Sequence, residues 1–354
     1  MFFIFYHLIK FQISHSSTHF VTNKKTIQYI LNMKKFKNEI DEKFHSLVTF
    51  VESCDYPALL NHILMKYAFA PASLQQSLKR YFDKYSFWGK IDFQTKDLSF
   101  FKNKATDISS HIKEFKWLYG KLEDYSSKLL LYAILNNWLN FDTLTLKRTM
   151  ENGRFKQYFH LDLIPSAKDE IFVDVGSYYG ETSLDFINTY GENYKRIYCY
   201  EITPAPLEFS KQHLHKFSNI IFRQKAVKNK NGFVLLQENG ASSSANQTSD
   251  LQKHCDEANQ SEVESVTLDD DIKEKITMVK MDIEGDEISA LKGAKNHIKK
   301  DCPKLLISVY HNNNHLWQIP KLIHSLNKNY KFFLRNFCGS FYPTEIVLFA
   351  LPCN

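Results

Sequence analysis

The sequence predicts an α/β fold: a mostly parallel sheet with helices on both faces, closed by a C-terminal β-hairpin and preceded by an α-helical N-terminal region. Three observations carry this. From about residue 166, short apolar strand-like runs alternate with helix-like segments, which implies right-handed crossovers and parallel pairing. Before that point, apolar residues recur at spacings of three and four, the period of a helix with one buried face. The composition changes at the same place. Residues 1–165 carry 23 Lys+Arg against 15 Asp+Glu and 3 of the 11 glycines, while the remainder carries 22 against 24 and 8 glycines.

Length agrees with two parts, since 354 residues is more than the roughly 150 of a typical domain. Apolar residues at 44% and charged residues at 24% exclude wholesale disorder, and 15% aromatics supply a core. The six cysteines form no C-x-x-C pair and, with the histidines, no zinc spacing. They read as reduced small hydrophobes of a cytoplasmic protein. No 20–50-residue period repeats, which argues against a solenoid or propeller. The net charge of +6 is scattered among acidic residues without a Lys/Arg block, so no nucleic-acid partner is expected.

The opening MFFIFYHLIK is about ten residues of apolar chain, short of the roughly 20 that cross a bilayer. No transmembrane segment is expected. No basic residue precedes it and no A-x-A site follows, which argues against a signal peptide. Met33 opens MKKFKNEIDEKF, an ordinary protein start, so residues 1–32 read as a mis-called extension or a loose tail. From there Phe36, Ile40, Phe44, Leu47, Val48 and Val51 share one helical face. Pro57 and Pro71 mark helix starts, and 73–86, 108–119 and 126–140 read as further helices. The division is 1–32, a helical region 33–165 and an α/β domain 166–354.

In the second part, strands are expected at 171–175, 196–201, 220–227, 232–236, 263–268, 276–281 and 304–310. Helices are expected at 179–190, 205–216, 286–298 and 316–328, and residues 239–260 form a polar loop. Residues 330–335 and 345–351, joined by a short turn near Pro343, form the closing hairpin.

The strongest local signal is FVDVGSYYGETS at 172–183. Asp174 ends a buried strand, and Gly176 and Gly180 frame a turn before a helix whose free N–H groups face a ligand. The spacing is neither the dinucleotide G-x-G-x-x-G nor a Walker loop, and it suits a nucleoside with an amino-acid tail. Glu201 ends the next strand, where an acidic group accepts from ribose hydroxyls. The plainer readings are a packing turn and a solvated carboxylate. The second signal is KMDIEGDE at 280–287. Its strand delivers Asp282 and Glu284 to the carboxyl edge of the sheet, where open α/β sheets bind ligands. Asp286 reads as the N-cap of the following helix, and Glu287 as a favourable charge in its first turn.

The ordered set FVDVGSYYGETS, YCYEITP, QKAVKNKNG, VTLDD and KMDIEGDEISALKGA, with PKLLISVYH, YKFFLRNF and VLFALP after it, resembles the FkbM family of S-adenosylmethionine-dependent methyltransferases over about 166–352. The resemblance implies a class I methyltransferase (Rossmann-like) fold and O-methylation, commonly of a sugar hydroxyl in a glycan or natural product. It matches Asp174, Gly176 and Gly180 to the cofactor loop, with Thr182 just inside the helix. Glu201 matches the ribose acceptor, Ala226 and Val227 the segment flanking the adenine, and Asp282 the acidic position beside the methionine end of S-adenosylmethionine. Two stretches depart from the family: Ser177-Tyr178-Tyr179 in the turn, and Ser308-Val309-Tyr310-His311 where many members have a Glu.

An alcohol needs a base before it attacks a sulfonium methyl. The candidates are Asp282, Glu284 and His311, with a structural histidine as the plainer reading of the last. A divalent cation held by Asp282 and Glu284 is an open alternative. The rival functions are a catalytically silent adaptor in a glycan-assembly complex and a methyltransferase with another small-molecule acceptor. A nucleic-acid methyltransferase would carry an N/D-P-P-Y-like loop where D-I-E-G stands, and a dehydrogenase would carry dinucleotide spacing. The acceptor and the oligomeric state have no readable code. Residues 238–249, rich in Ser, Asn and Gly, read as a lid or a solvated loop.

Overall fold

The computed structural model describes residues 37–85, 88–237, 244–246, 261–338 and 341–353. The expectation for residues 1–32 falls outside them, as does that of a lid or solvated loop at 238–249 except for 244–246. By compactness the chain divides into Met1–Ser46 and Leu47–Asn354. In the first unit, the helix α1 (Glu39–Ser53) begins with an acidic first turn, Glu39, Asp41 and Glu42, which suits the helix dipole. It continues into the second unit.

The second unit begins with helices α2 (Tyr56–Ala68), α3 (Ala72–Lys84), α4 (Ser99–Lys121), α5 (Tyr125–Asn140) and α6 (Thr143–Arg148). Local capping sets their starts. Asp55, Asp124 and Asp142 each accept a backbone N–H from the first turn they precede. Pro71 stands just before α3, where a missing N–H is harmless. The expected helix 108–119 begins nine residues earlier, at Ser99, and bends at His111. The inward faces are apolar and aromatic: Leu59, Ile63, Leu78, Phe82, Phe101, Ile108, Phe115, Leu131 and Leu135 are all buried.

The seven-stranded sheet takes the order β10-β11-β9-β8-β1-β2-β3. Its members are β1 (Ile171–Val175), β2 (Arg196–Tyr200), β3 (Ile220–Arg223), β8 (Met278–Met281), β9 (Lys304–Ser308), β10 (Tyr330–Asn336) and β11 (Ile346–Pro352). All neighbouring pairs are parallel except those of β11, which runs antiparallel to both β9 and β10. This is a class I methyltransferase fold, with the expected C-terminal hairpin. The helices between the strands are α7 (Glu181–Tyr190), α8 (Pro204–His213), α9 (Leu268–Asp271), α10 (Glu287–Gly293), α11 (Lys295–Lys300) and α12 (His315–Leu326). A core of Phe159, Phe172, Phe186, Ile197, Cys199, Leu306 and Phe349 lies against the sheet. Burial of such side chains contributes about 1.5–3 kcal/mol each.

Two expected elements divide. The strand expected at 220–227 becomes β3 and, after two residues, β4 (Ala226–Val227), which joins a different sheet. That second sheet has the order β4-β7-β5-β6, with β5 (Gly232–Gln237), β6 (Ser244–Asn246) and β7 (Ser261–Val266). The helix expected at 286–298 breaks at Ala294 into α10 and α11. The break follows Gly293, where a Cβ would meet the Lys228 carbonyl at 1.9 Å. Among the described residues, no helix is long and apolar enough to cross a membrane. The five described cysteines are unpaired.

Candidate active site

β1 lies between β8 and β2, so three neighbouring strands end along one edge. β1 ends in the glycine turn, β2 runs into Glu201 and β8 runs into Asp282.

The turn is built from beneath. Asp174 is fully buried, accepts from Ser183 Oγ at 2.8 Å and pairs with Lys280 Nζ at 3.1 Å. Lys280, itself buried, also donates to the Gly176 carbonyl at 2.6 Å. Asp174 therefore supports the turn through its neighbours and shows no surface to the cleft. Thr182 is half-buried, and it is the next residue, Ser183, that reaches Asp174. Gly176 sits at φ +77°, and a Cβ there would lie 2.0 Å from the Asp282 carbonyl oxygen. Gly180, at φ +84°, is the N-cap of α7 and has Ser210 Oγ 2.6 Å from where a Cβ would be. Neither position tolerates a side chain.

Glu201 closes this end. It accepts from Tyr178 N at 3.0 Å through one carboxylate oxygen and from Thr203 N at 2.8 Å through the other. Each oxygen keeps a lone pair, so the group can still take a diol. Ala226 and Val227 are 3% and 4% exposed, and Ala226 clusters with Val234, Leu236 and Val263. β4 is an edge strand, so one side of its backbone is unpaired within the sheet.

The other end of the edge is a charge cluster. The carboxylate of Asp282 takes the Tyr158 hydroxyl at 2.7 Å and has His311 Nε2 at 3.3 Å from its other oxygen. His311 Nε2 lies 3.6 Å from Glu284, while its Nδ1 lies 2.8 Å from Glu287. Glu287 is fully buried and also meets His315 Nδ1 at 3.2 Å. One Glu287 oxygen further accepts from Ile283 N at 3.1 Å and Gly285 N at 3.4 Å, which folds the D-I-E-G loop around it. Glu284 is held at φ +54° in that loop.

These contacts set the charges. Burial opposes the charged His311 ring, but Glu287, Asp282 and Glu284 raise its pKa to about 10. Burial likewise opposes the Glu287 charge, yet His311 and His315 hold its carboxyl well below the usual range. The pair is a buried imidazolium–carboxylate, and the ring is the counter-ion between Glu287 and the two site carboxylates. Burial, with Asp282, Glu287 and Glu345 adding to it and His311 opposing, lifts Glu284 to about 7. Burial and Asp282 push the Tyr158 phenol well up, which keeps it a donor. Asp282, Glu287 and His311 offer ligand atoms within 4.8 Å of one another. The imidazole, however, stands between the two carboxylates and bonds Glu287 through Nδ1, so the trio is arranged as an ion pair.

Asp286 does not cap α10 through its side chain. Its carboxylate pairs with Lys228 at 2.5 Å instead. Glu287, read from sequence as a first-turn charge, is the buried centre of the cluster. Tyr158, Lys280, His315 and Glu345 were not singled out as site residues. Lys280 had a signal, as the first residue of the KMDIEGDE run.

Residues 174–337 match the model of the methyltransferase FkbM domain. Over that stretch the chain is similar to the FkbM methyltransferase family. The crystal structure of an FkbM methyltransferase from Methylobacillus flagellatus KT is similar to it at 26% identity and a TM-score of 0.57, over 69% of this chain and 60% of that one. The chain thus spans less than two thirds of that relative. More distant likenesses are an rRNA methylase from Streptococcus thermophilus and a fibrillarin from Aeropyrum pernix with natively bound S-adenosyl-L-methionine. The first has 12% identity over 53% and 89% of the two chains, with a TM-score of 0.34. The second has 10% identity over 53% and 69%, with a TM-score of 0.34. No curated protein matches the sequence significantly.

Proposed function

We propose that the chain is an S-adenosylmethionine-dependent O-methyltransferase acting in the cytoplasm on a hydroxyl, that of a sugar in a surface glycan or a related metabolite. In this reading 166–354 is the catalytic domain and 33–165 its helical region. One observation carries it: the glycine turn, Glu201 and Asp282 occupy the ends of three adjacent strands. S-adenosylmethionine, when bound, supplies an electrophilic methyl on a sulfonium. Glu201 takes the ribose diol with its remaining lone pairs, and the turn from Gly176 to Gly180 lets the backbone approach. The backbone edge of β4 at Ala226 and Val227 flanks the adenine. Asp282, oriented by Tyr158 and His311, faces the methionine end, and the surrounding carboxylates suit a cationic sulfur.

Glu284 is the general base. With its pKa raised to about 7, it is partly ionised at neutral pH and holds a proton readily once it has taken one from the acceptor hydroxyl. His311, already protonated, has no lone pair to offer and instead fixes Asp282 and Glu284. Glu284→Gln is expected to keep S-adenosylmethionine binding by calorimetry and to lose methyl transfer to sugar acceptors by about 100-fold or more. Absence of cofactor binding by the native protein would reject the enzymatic reading in favour of an adaptor.

A further inference from the structure

The helical region contains a lysine that stability does not call for. Lys104, on α4, is fully buried, and its Nζ lies 4.0 Å from the centre of the Trp138 ring. It donates to the Asn313 side-chain oxygen and to the Tyr342 hydroxyl. Desolvating an ammonium is unfavourable, and an apolar residue of similar volume commonly serves a core at least as well. Burial holds the Lys104 pKa well below the usual lysine value against the pull of Asp107, and what its nitrogen does that an apolar chain cannot is grip an amide. Asp107, one turn further along α4, accepts from Nδ2 of the same Asn313 at 2.6 Å. The carboxamide is thus held at its oxygen by Lys104 and at its nitrogen by Asp107. Asp107 also takes Asn314 Nδ2 at 3.4 Å, and Trp88 Nε1 donates to the Tyr310 carbonyl at 3.0 Å. The 310–314 segment, with His311 inside it, is pinned on both sides by the helical region.

We propose that Lys104 is a positioning residue of the active site: with Asp107 it clamps Asn313, and so fixes the imidazole of His311 against Asp282 and Glu284. The helical region then acts as the rigid backing of the acceptor side rather than as an appendage. The inference rests on the methyl-transfer reading for its kinetic arm only.

The test uses the full chain with Lys104→Met, and with Asp107→Ala as the gentler change, which removes the acceptor of Asn313 Nδ2 and Asn314 Nδ2. Three quantities are measured: S-adenosylmethionine affinity by calorimetry, methyl transfer, and the His311 ring N–H signals by NMR of histidine-labelled protein. A clamp predicts affinity within about twofold of native, kcat reduced by about tenfold or more for Lys104→Met, and His311 signals moved or broadened in both variants. If both variants fold and leave kcat and the His311 signals unchanged, the clamp is rejected. Should Lys104→Met fail to fold, Asp107→Ala decides. If the native protein binds no S-adenosylmethionine, the proposed activity fails while the His311 signals still judge the clamp.

Discussion

The two ends of the sheet edge are built by different means. At the β1–β2 end, the turn and Glu201 are held by backbone N–H groups and glycine dihedrals, and their segments lie 23 residues apart at Tyr178 and Glu201. At the β8–β9 end, side chains from remote segments meet: Tyr158 reaches Asp282 across 124 positions, and Lys104 reaches Asn313 across 209. The first end is shaped by local geometry above one buried ion pair, Lys280–Asp174, and the second is itself made of charges that must neutralise one another out of water. Substitution should therefore damage them differently, the first through affinity and backbone fit and the second through stability and proton chemistry.

The largest effect should follow Glu287→Gln. Removing one member of a buried ion pair leaves the other uncompensated, so a loss of about 3–5 kcal/mol is expected in denaturant unfolding. Gly176→Ala tests where the two ends meet. Its Cβ overlaps the Asp282 carbonyl at an unfavourable φ, so both ends should suffer, with a drop of about 1–3 kcal/mol and weaker cofactor binding. Glu201→Ala should leave the charge cluster intact. It strips partners from Tyr178 N and Thr203 N, and cofactor Kd should rise by about tenfold or more, each lost charged hydrogen bond being worth roughly 1.5–3 kcal/mol.

The smallest and most diagnostic effects are those of pH. His311 has its pKa raised from 6.5 to about 10, so its contribution to stability is full below about 6.5 and is lost as pH rises toward about 10. Glu287, held below its usual value of 4.5, contributes above that value and loses its contribution as pH falls through the lowered one. Glu287→Gln should flatten the alkaline slope, and an unchanged slope would mean that His311 is not the paired group. Activity should rise through pH of about 7 as Glu284 ionises, and Glu284→Gln should remove that limb.

The glycine-turn end of the site was more legible in the sequence than the charge-cluster end. A strand, a pair of glycines and a strand-end carboxylate are short-range signals, and they foretold the turn and the position of Glu201. The direction of Asp174 escaped, because only the pairing of β1 with β8 brings Lys280 beside it. Glu287 was misread because a glutamate at a helix start looks alike whether it faces water or two histidines. The 220–227 strand was drawn whole because its apolar run is continuous, and pairing with β7 rather than the main sheet is what divides it.

What the sequence determined alone is therefore the order of strands and helices, the hairpin and the turn that only glycine can make. These follow from periodicity and backbone sterics, which act within a few residues. What the tertiary structure decided is protonation and direction: that His311 is an imidazolium, that Glu284 binds its proton more tightly than usual, that Asp174 supports the turn from below, and that a lysine of the helical region grips Asn313. Each depends on burial and on charges brought together from distant positions, and both exist only once the chain has folded.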